Sequence, residues 1–281
     1  MDKRLVFGYV TPILACITVS LGFVRLFLMG GMNSSIHQSF SEEYMQVIWT
    51  LVLTLGGLIG VTFLYWLTKK SRDFELRVII ALVVAPTSAI LVIIVSQTVL
   101  MVIAKAVSSF MASLIVLISL YVAVFSVIFI ISNALSTRVK NFIFILYGAL
   151  LGSFVSLLLP TASLIVMLLA VALYDLIMLN TGWVLEMLKT IGNSKRKSSR
   201  MSYIDESIEI GMGELIFYSF IPAHVEAYFS HELLVLTLVM TGIGVLLNLW
   251  ILQRRGVVAG LPAPIFLGLA PLILNMLLRS S

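Results

Sequence analysis

An aspartate stands in the middle of an apolar run, where a charged side chain has no local partner. Asp175 lies within residues 168–178, and the remaining residues of this run are all Leu, Ala, Val, Tyr, Ile or Met. The nearest basic residue in sequence, Lys189, would be about 21 Å away along a helix. Because burial of an unpaired carboxylate is costly, Asp175 is predicted to face a polar cavity, to pair with another segment or to stay protonated. Tyr174 beside it is predicted either to line the same site or to pack.

A second acid opens the next apolar run. Glu214 completes the sequence Gly-Met-Gly-Glu over residues 211–214, directly after a polar segment. Glycines before an acid allow another backbone to approach closely, and they weaken the first turn of a helix. Asp175 and Glu214 are therefore predicted to lie on consecutive antiparallel spans, at a common depth in the inner half of a membrane.

Two carboxyl groups at one depth are typical of acid–base hydrolysis. Two acids a few ångström apart cannot both ionise, so they share one proton. The ionised group can activate a water molecule while the protonated group polarises a peptide carbonyl, and no covalent intermediate is needed. The second reactant is water, so no cofactor is predicted. With one cysteine and three scattered histidines, no metal site is predicted either.

Prolines cluster at the start of the last apolar run. The sequence reads Gly-Leu-Pro-Ala-Pro over residues 260–264, and Pro271 follows. Proline lacks a backbone N–H and interrupts a helix, and non-helical backbone at membrane depth survives only where it is buried or lines a cavity. The free backbone groups of this segment are predicted to pair with an extended substrate segment.

The composition indicates that membrane-spanning helices position these groups. Of 281 residues, 60% are hydrophobic and 11% are charged, whereas about a quarter are charged in soluble domains. This excludes a soluble enzyme and an ordinary nucleic-acid partner, and the continuous apolar runs exclude an outer-membrane barrel. The fold class is predicted to be all-α, a polytopic membrane protein of nine transmembrane helices. The predicted spans are 5–29, 45–67, 76–103, 108–135, 141–160, 162–186, 211–229, 232–252 and 259–278.

The basic residues predict the orientation. With the N-terminus in the cytoplasm, fifteen of the 18 Lys and Arg residues fall on the cytoplasmic side of the cell membrane. Cytoplasmic loops carry such an excess, so the N-terminus is predicted to be cytoplasmic and the C-terminus outside. The chain is predicted to be a single membrane domain over 1–281. A cytoplasmic loop, 187–210, would separate the first six spans (1–186) from the last three (211–281).

These motifs resemble those of the presenilin and signal peptide peptidase family of intramembrane aspartyl proteases, in its archaeal branch. The family carries Tyr-Asp in its sixth span, Gly-x-Gly-Asp in its seventh and Pro-Ala-Leu at the start of its ninth. The matching positions here are Tyr174-Asp175, Gly211-Met212-Gly213-Glu214 and Pro262-Ala263-Pro264. Nine spans, a cytoplasmic N-terminus and a large loop after the sixth span are similar to the presenilin layout. The resemblance covers the whole chain in architecture.

The resemblance implies an aspartic endopeptidase that acts on transmembrane protein substrates within the lipid bilayer. Asp175 and Glu214 would be its catalytic carboxylates. The residues that would shape the substrate site are Tyr174, Gly211, Met212, Gly213, Leu261, Pro262, Ala263 and Pro264. A substrate helix would partly unwind near the acids before cleavage. Family members with a cytoplasmic N-terminus are associated with substrates whose own N-terminus is outside.

Two positions depart from the family pattern. The second acid is Glu214 instead of Asp, and the third motif is Pro-Ala-Pro instead of Pro-Ala-Leu. Glu carries its carboxylate one methylene further, and a misplacement of about 1 Å can cost on the order of 100-fold in rate. A backbone shift in the Gly-Met-Gly turn would absorb the extra length. The sequence leaves open an active protease, a weakened protease and an inactive relative that only binds membrane helices.

Two other classes of function remain open from the residues alone. Intramembrane acids and a proline-interrupted helix also suit an ion-coupled transporter or channel, although no internal repeat is present. A prepilin-type peptidase also uses a Gly-x-Gly-Asp acid, but that family has fewer spans and lacks the proline motif. An ion-flux measurement in vesicles would distinguish the transporter from a protease.

Overall fold

Nine helices and one short hairpin make up the part of the chain that the structure describes. The computed structural model describes residues 3–32, 43–70, 73–105, 108–132, 136–180, 202–204, 209–255 and 258–280. The helices are α1 (Lys3–Met29), α2 (Glu43–Lys70), α3 (Asp73–Ala104), α4 (Ser109–Ser132), α5 (Thr137–Leu158), α6 (Thr161–Asn180), α7 (Met212–Tyr228), α8 (His231–Arg255) and α9 (Pro262–Ser280). Each predicted span corresponds to one helix, so the prediction of an all-α, nine-helix fold is confirmed.

The helices have the length and composition of membrane spans. Six of them (α1, α3, α4, α5, α6 and α8) are long and apolar enough to cross a bilayer. Shorter apolar stretches lie in α2, at Val47–Gly60, and in α9, at Pro262–Leu278. The chain is therefore a multi-pass membrane protein.

Helix α7 is the central helix of the bundle. It packs against α1, α5, α8 and α9, and residues along most of its length are buried. With 17 residues it is about 26 Å long. Because protein surrounds it, a helix shorter than the bilayer core can sit here without exposing its ends to lipid.

Small residues allow α5 to approach α7 closely. Gly148 and Gly152 are four residues apart on α5 and are both buried. A Cβ atom added at Gly152 would lie 3.0 Å from the Ser219 Cβ and 3.2 Å from the Ile216 carbonyl oxygen. This small-xxx-small spacing is typical of helix contacts in membranes. It fixes the helix that carries Glu214 against its neighbour.

The far end of α7 is anchored by polar contacts. His224 is fully buried, and its Nδ1 donates to the Ser156 carbonyl at 2.7 Å. The Tyr228 hydroxyl donates to the Leu157 carbonyl at 2.7 Å. On the surface nearby, Arg25 Nε of α1 lies 2.6 Å from a carboxylate oxygen of Glu226. These contacts join α7 to α1 and to the end of α5.

Helices α3 and α4 lie at the periphery of the described structure. They pack mainly on each other. In α4 only Ile115 and Ser119 are buried, and most of its large apolar side chains are exposed. An apolar surface of this extent is suited to contact with lipid.

A short antiparallel hairpin precedes α7. Strand β1 (Ser202–Ile204) pairs with β2 (Glu209–Gly211), with Ser202 opposite Gly211. The sequence predicted only a loop over 187–210, of which 187–201 and 205–208 lie outside the described residues. Strand β2 runs directly into α7, and its Ile210 is fully buried. The hairpin therefore fixes the point at which α7 begins.

That residues 1–281 form a single membrane domain remains a prediction.

Candidate active site

Asp175 is held by the backbone that precedes the last helix. It lies half-buried on α6. Its Oδ2 accepts a hydrogen bond from the backbone N–H of Leu261, with an N···O distance of 3.0 Å. The carboxyl also interacts with the backbone of Gly260. A hydrogen-bond partner for Asp175 therefore comes from the connection between α8 and α9, 86 residues away.

Glu214 reaches the same backbone segment from another helix. It lies in the first turn of α7, where the helix dipole favours a negative charge. Its side chain lies directly against Gly260, since a Cβ atom added there would be 2.5 Å from the Glu214 Cδ. Glu214 also interacts electrostatically with Asp175. Residues 260–261 are thus the place where the two acids meet.

The carbonyl of Gly260 is anchored on its other side. The Tyr218 hydroxyl of α7 donates to this carbonyl at 2.6 Å, and Asn248 Nδ2 of α8 donates to the same oxygen. Both side chains are buried. The Tyr9 hydroxyl of α1 is in hydrogen-bonding contact with Tyr218. Helices α7 and α8 therefore meet at one carbonyl oxygen, and α1 joins them through the contact of Tyr9 with Tyr218.

A single peptide group links these contacts. The Gly260 carbonyl and the Leu261 N–H belong to the same peptide bond, which is planar. The carbonyl is held by Tyr218 and Asn248, and the N–H is held by Asp175. The orientation of the Asp175 carboxyl is therefore coupled to α7 and α8 through one rigid unit.

Tyr218 and Asn248 are not among the site residues predicted from the sequence. Tyr218 follows Glu214 by four residues, which places both on one face of α7. Asn248 interrupts an apolar run of α8 with a polar amide. Polar residues within membrane helices are functional candidates by default, and applying that rule to uncharged side chains would have found Asn248.

Removing the donors to Gly260 is expected to destabilise the fold more than additively. Tyr218→Phe and Asn248→Leu should each lower the free energy of unfolding by about 0.5–1.5 kcal/mol. The double variant should lose more than the sum of the two, because the buried carbonyl then has neither donor. Unfolding in mixed detergent micelles would measure this. As a control, Tyr228→Phe removes a donor elsewhere, and its effect should add to that of Asn248→Leu without coupling.

Pro262 begins α9 and does not interrupt it. Pro262 is the first residue of α9, a position where its missing N–H costs nothing. The Leu261 carbonyl accepts the first helical bond, from the Ile265 N–H at 3.1 Å. Pro271 lies inside the helix. The prediction that this segment offers free backbone groups needs correction, because the Gly260 carbonyl and the Leu261 N–H are already bonded within the site.

Helix α8 presses closely on the start of α9. A Cβ atom added at Gly244 would lie 2.5 Å from the Pro264 Cα and 2.8 Å from the Ala263 carbonyl oxygen. Gly244 and Pro264 are both buried. This contact fixes the first turn of α9 and, with it, residues 260–261.

The other predicted site residues are placed differently. The Tyr174 hydroxyl lies 2.8 Å from Thr62 Oγ1 of α2, so this side chain joins α6 to α2. Met212 is half-buried at the start of α7. A Cβ atom added at Gly211 would meet only Glu214 Cγ within 4 Å, at 3.9 Å, and one at Gly213 would meet no described atom. Among the described residues, no backbone atom from another segment lies within 4 Å of the Cβ position at either glycine, so the close backbone approach predicted there is not observed in this part of the chain.

The arrangement of Asp175 and Glu214 around residues 260–261 is suited to acid–base chemistry. Two carboxyl groups from different helices lie against one backbone segment, residues 260–261. Such a pair can hold one proton between its members and can activate a water molecule. Among the described residues, no three His, Cys, Asp or Glu side chains are grouped closely enough to hold a metal ion.

Comparison with known proteins identifies the fold. No protein-family model matches the sequence, and no curated protein matches it significantly. A solved structure of a presenilin family intramembrane aspartate protease, in space group C222, superposes with a TM-score of 0.59 at 17% identity, covering 95% of this chain and 99% of that one. A structure described in the same words, in space group P2, gives a TM-score of 0.62 at 15% identity, covering 99% of this chain and 100% of that one. The chain therefore has the fold of the presenilin family intramembrane aspartate proteases, as the resemblance of its motifs predicted.

Proposed function

We propose that this chain is an intramembrane aspartic endopeptidase that hydrolyses peptide bonds within the transmembrane helices of other membrane proteins. One observation carries the proposal. The side chains of Asp175 and Glu214, from two different helices, meet at the backbone of residues 260–261. Acids within membrane helices are costly, and a shared position suits them to shared chemistry.

The proposed reaction uses the two acids and water. One ionised carboxyl takes a proton from a water molecule, whose oxygen attacks the peptide carbon. The other carboxyl, protonated, donates to the carbonyl oxygen. Collapse of the tetrahedral intermediate breaks the C–N bond, and a proton passes to the leaving amine. Proton occupancy belongs to the pair of Asp175 and Glu214 and not to either residue alone.

The substrate would enter beside Glu214. The peptide bonds of an intact helix are shielded by its own hydrogen bonds, so the substrate has to unwind locally before attack. Gly213 is exposed, and a Cβ atom added there would meet no described atom within 4 Å, so the exposed start of α7 is the proposed side of entry. Because the Gly260–Leu261 peptide is engaged with the protein, the substrate backbone would pair with other groups.

Cleavage of a single-span test protein in liposomes tests the proposal. The unaltered chain is expected to release two fragments, and mass spectrometry should place the cut within the span. Hydrolysis in H₂¹⁸O should label the new carboxyl terminus. The double variant Asp175→Asn/Glu214→Gln is the control and should give no product. Absence of cleavage by the unaltered chain with two unrelated substrates, or equal cleavage by the control, would contradict the proposal.

The proposed orientation can be tested separately. The excess of Lys and Arg on one side supports a cytoplasmic N-terminus and an external C-terminus. A fluorescent protein that matures only in the cytoplasm is expected to fluoresce when fused to the N-terminus and to stay dark at the C-terminus. The reverse pattern would refute this orientation. It would also remove the expectation that substrates have an external N-terminus.

A further inference from the structure

Gly260 faces the one acidic position at which this chain departs from the family pattern. For a Cβ atom added at Gly260, the three nearest atoms all belong to Glu214. They are Cγ at 3.1 Å, Cδ at 2.5 Å and, closer still, the carboxylate oxygen Oε1. Among the described residues only Gly31 and Lys105 have a positive φ. The backbone of residue 260 therefore does not require glycine, and the observed conflict of a larger residue is with Glu214.

We infer that Gly260 is a positioning residue whose missing side chain makes room for the longer side chain of Glu214. The inference rests on the proposed function, in which Glu214 is one of the two acids. An aspartate at position 214 would withdraw the carboxyl by about 1.5 Å, one carbon–carbon bond. The space that a Cβ atom of residue 260 would occupy would then be vacant. Glycine at 260 and glutamate at 214 thus form a matched pair, in which the small residue accommodates the long one.

The surroundings of Gly260 prevent it from moving away. Its carbonyl is held by Tyr218 and Asn248, and the next N–H is held by Asp175. A methyl group at residue 260 would therefore displace the flexible end of the Glu214 side chain while the backbone stays in place. The fold would survive this change, but the Glu214 carboxyl would leave its place beside Gly260.

A double-variant cycle in the cleavage assay tests the pairing. Gly260→Ala is expected to lower kcat about 100-fold in the chain with Glu214, with little change in KM. Glu214→Asp alone should also lower kcat by about 100-fold. In the Glu214→Asp background, adding Gly260→Ala should change kcat by less than about threefold, because the methyl group then has room. An equal loss in both backgrounds, or faster cleavage by Glu214→Asp than by the unaltered chain, would overturn the inference.

Gly268→Ala is the matched control for introducing a methyl group at a buried glycine. Its Cβ would meet Thr241 Oγ1 at 2.5 Å and Ile221 Cδ1 at 3.1 Å, and no atom of Glu214 is among its nearest neighbours. Its effect should be the same with Glu or Asp at position 214. If Gly260→Ala fails to fold while the double variant folds, the pairing is supported. If both fail to fold, it is refuted.

Infrared spectroscopy separates this inference from the proposed function. The carboxyl C=O or carboxylate stretching band that is lost in Glu214→Gln reports the surroundings of this acid without requiring cleavage. Gly260→Ala is expected to shift that band in the chain with Glu214 and to leave the corresponding band of the Glu214→Asp background in place. Absence of cleavage by every variant would reject the protease, while an unshifted band would reject the pairing.

Discussion

Replacing Asp175 with Asn is expected to lower the rate of substrate cleavage by about 10²–10⁴-fold, the range that general acid–base groups contribute. Asn has nearly the same size, and its amide oxygen can still accept the Leu261 N–H that Asp175 Oδ2 accepts at 3.0 Å. The fold should therefore be retained. What the substitution removes is the ionisable group, so the pair can no longer pass a proton. Initial rates in liposomes at matched protein levels measure the loss.

Glu226→Gln is the matched control for that substitution. It also turns a carboxyl into an amide, but at the surface contact with Arg25 on the far end of α7. A partly exposed ion pair of this kind contributes about 0–1 kcal/mol. The cleavage rate of Glu226→Gln should equal that of the unaltered chain. Full activity of Asp175→Asn, or an equal loss in both variants, would exclude Asp175 from the chemistry.

Introducing a side chain at Gly244 is expected to cause the largest loss of stability. The added Cβ would lie 2.5 Å from the Pro264 Cα, 2.7 Å from the Pro264 nitrogen and 2.8 Å from the Ala263 carbonyl oxygen. All three are backbone atoms, so no side-chain rotation relieves the overlap. Overpacking typically costs about 1–3 kcal/mol, and a conflict with backbone alone should reach the upper end. Gly244→Ala should therefore lower the unfolding midpoint in detergent and separate α8 from α9.

Gly242→Ala provides the comparison on the same helix. A Cβ atom at Gly242 would meet no described atom within 4 Å. Alanine is also the better helix former, by up to about 1 kcal/mol. Gly242→Ala is thus expected to be neutral or slightly stabilising. Equal destabilisation by the two variants would show that the loss at Gly244 comes from helix propensity or from the membrane, and not from contact with α9.

The nine helices could be predicted from the sequence because lipid imposes a simple rule. Backbone groups in a bilayer must be satisfied within the segment, so a long apolar run has to be a helix. The start of α9 shows the limit of the rule. The proline motif predicts an interruption of the helix, whereas Pro262 occupies the first helical position, where proline is favoured. The hairpin before α7 was missed because its strands of three residues carry no readable period.

The acids could be found from the sequence, but their surroundings could not. Asp175 and Glu214 stand out because charge is rare in apolar runs. The contacts of Gly260 join it to Tyr218 across 42 residues and to Asn248 across 12 residues. Such pairings depend on how helices pack, which a single sequence does not record. The inferred role of Gly260 depends on the absence of a side chain. It can be recognised only when the structure shows the Glu214 side chain next to Gly260.

The peptide between Gly260 and Leu261 has a consequence for biosynthesis. Both acids lie on helices that are synthesised before it, since α6 and α7 precede α8 and the connection to α9. A nascent chain that has inserted its first eight helices already contains Asp175 and Glu214, but it lacks the N–H that orients one and the glycine that accommodates the other. The acids gain their final geometry only when α9 has been synthesised and has docked against α8. Maturation of the site is thus tied to the docking of α9.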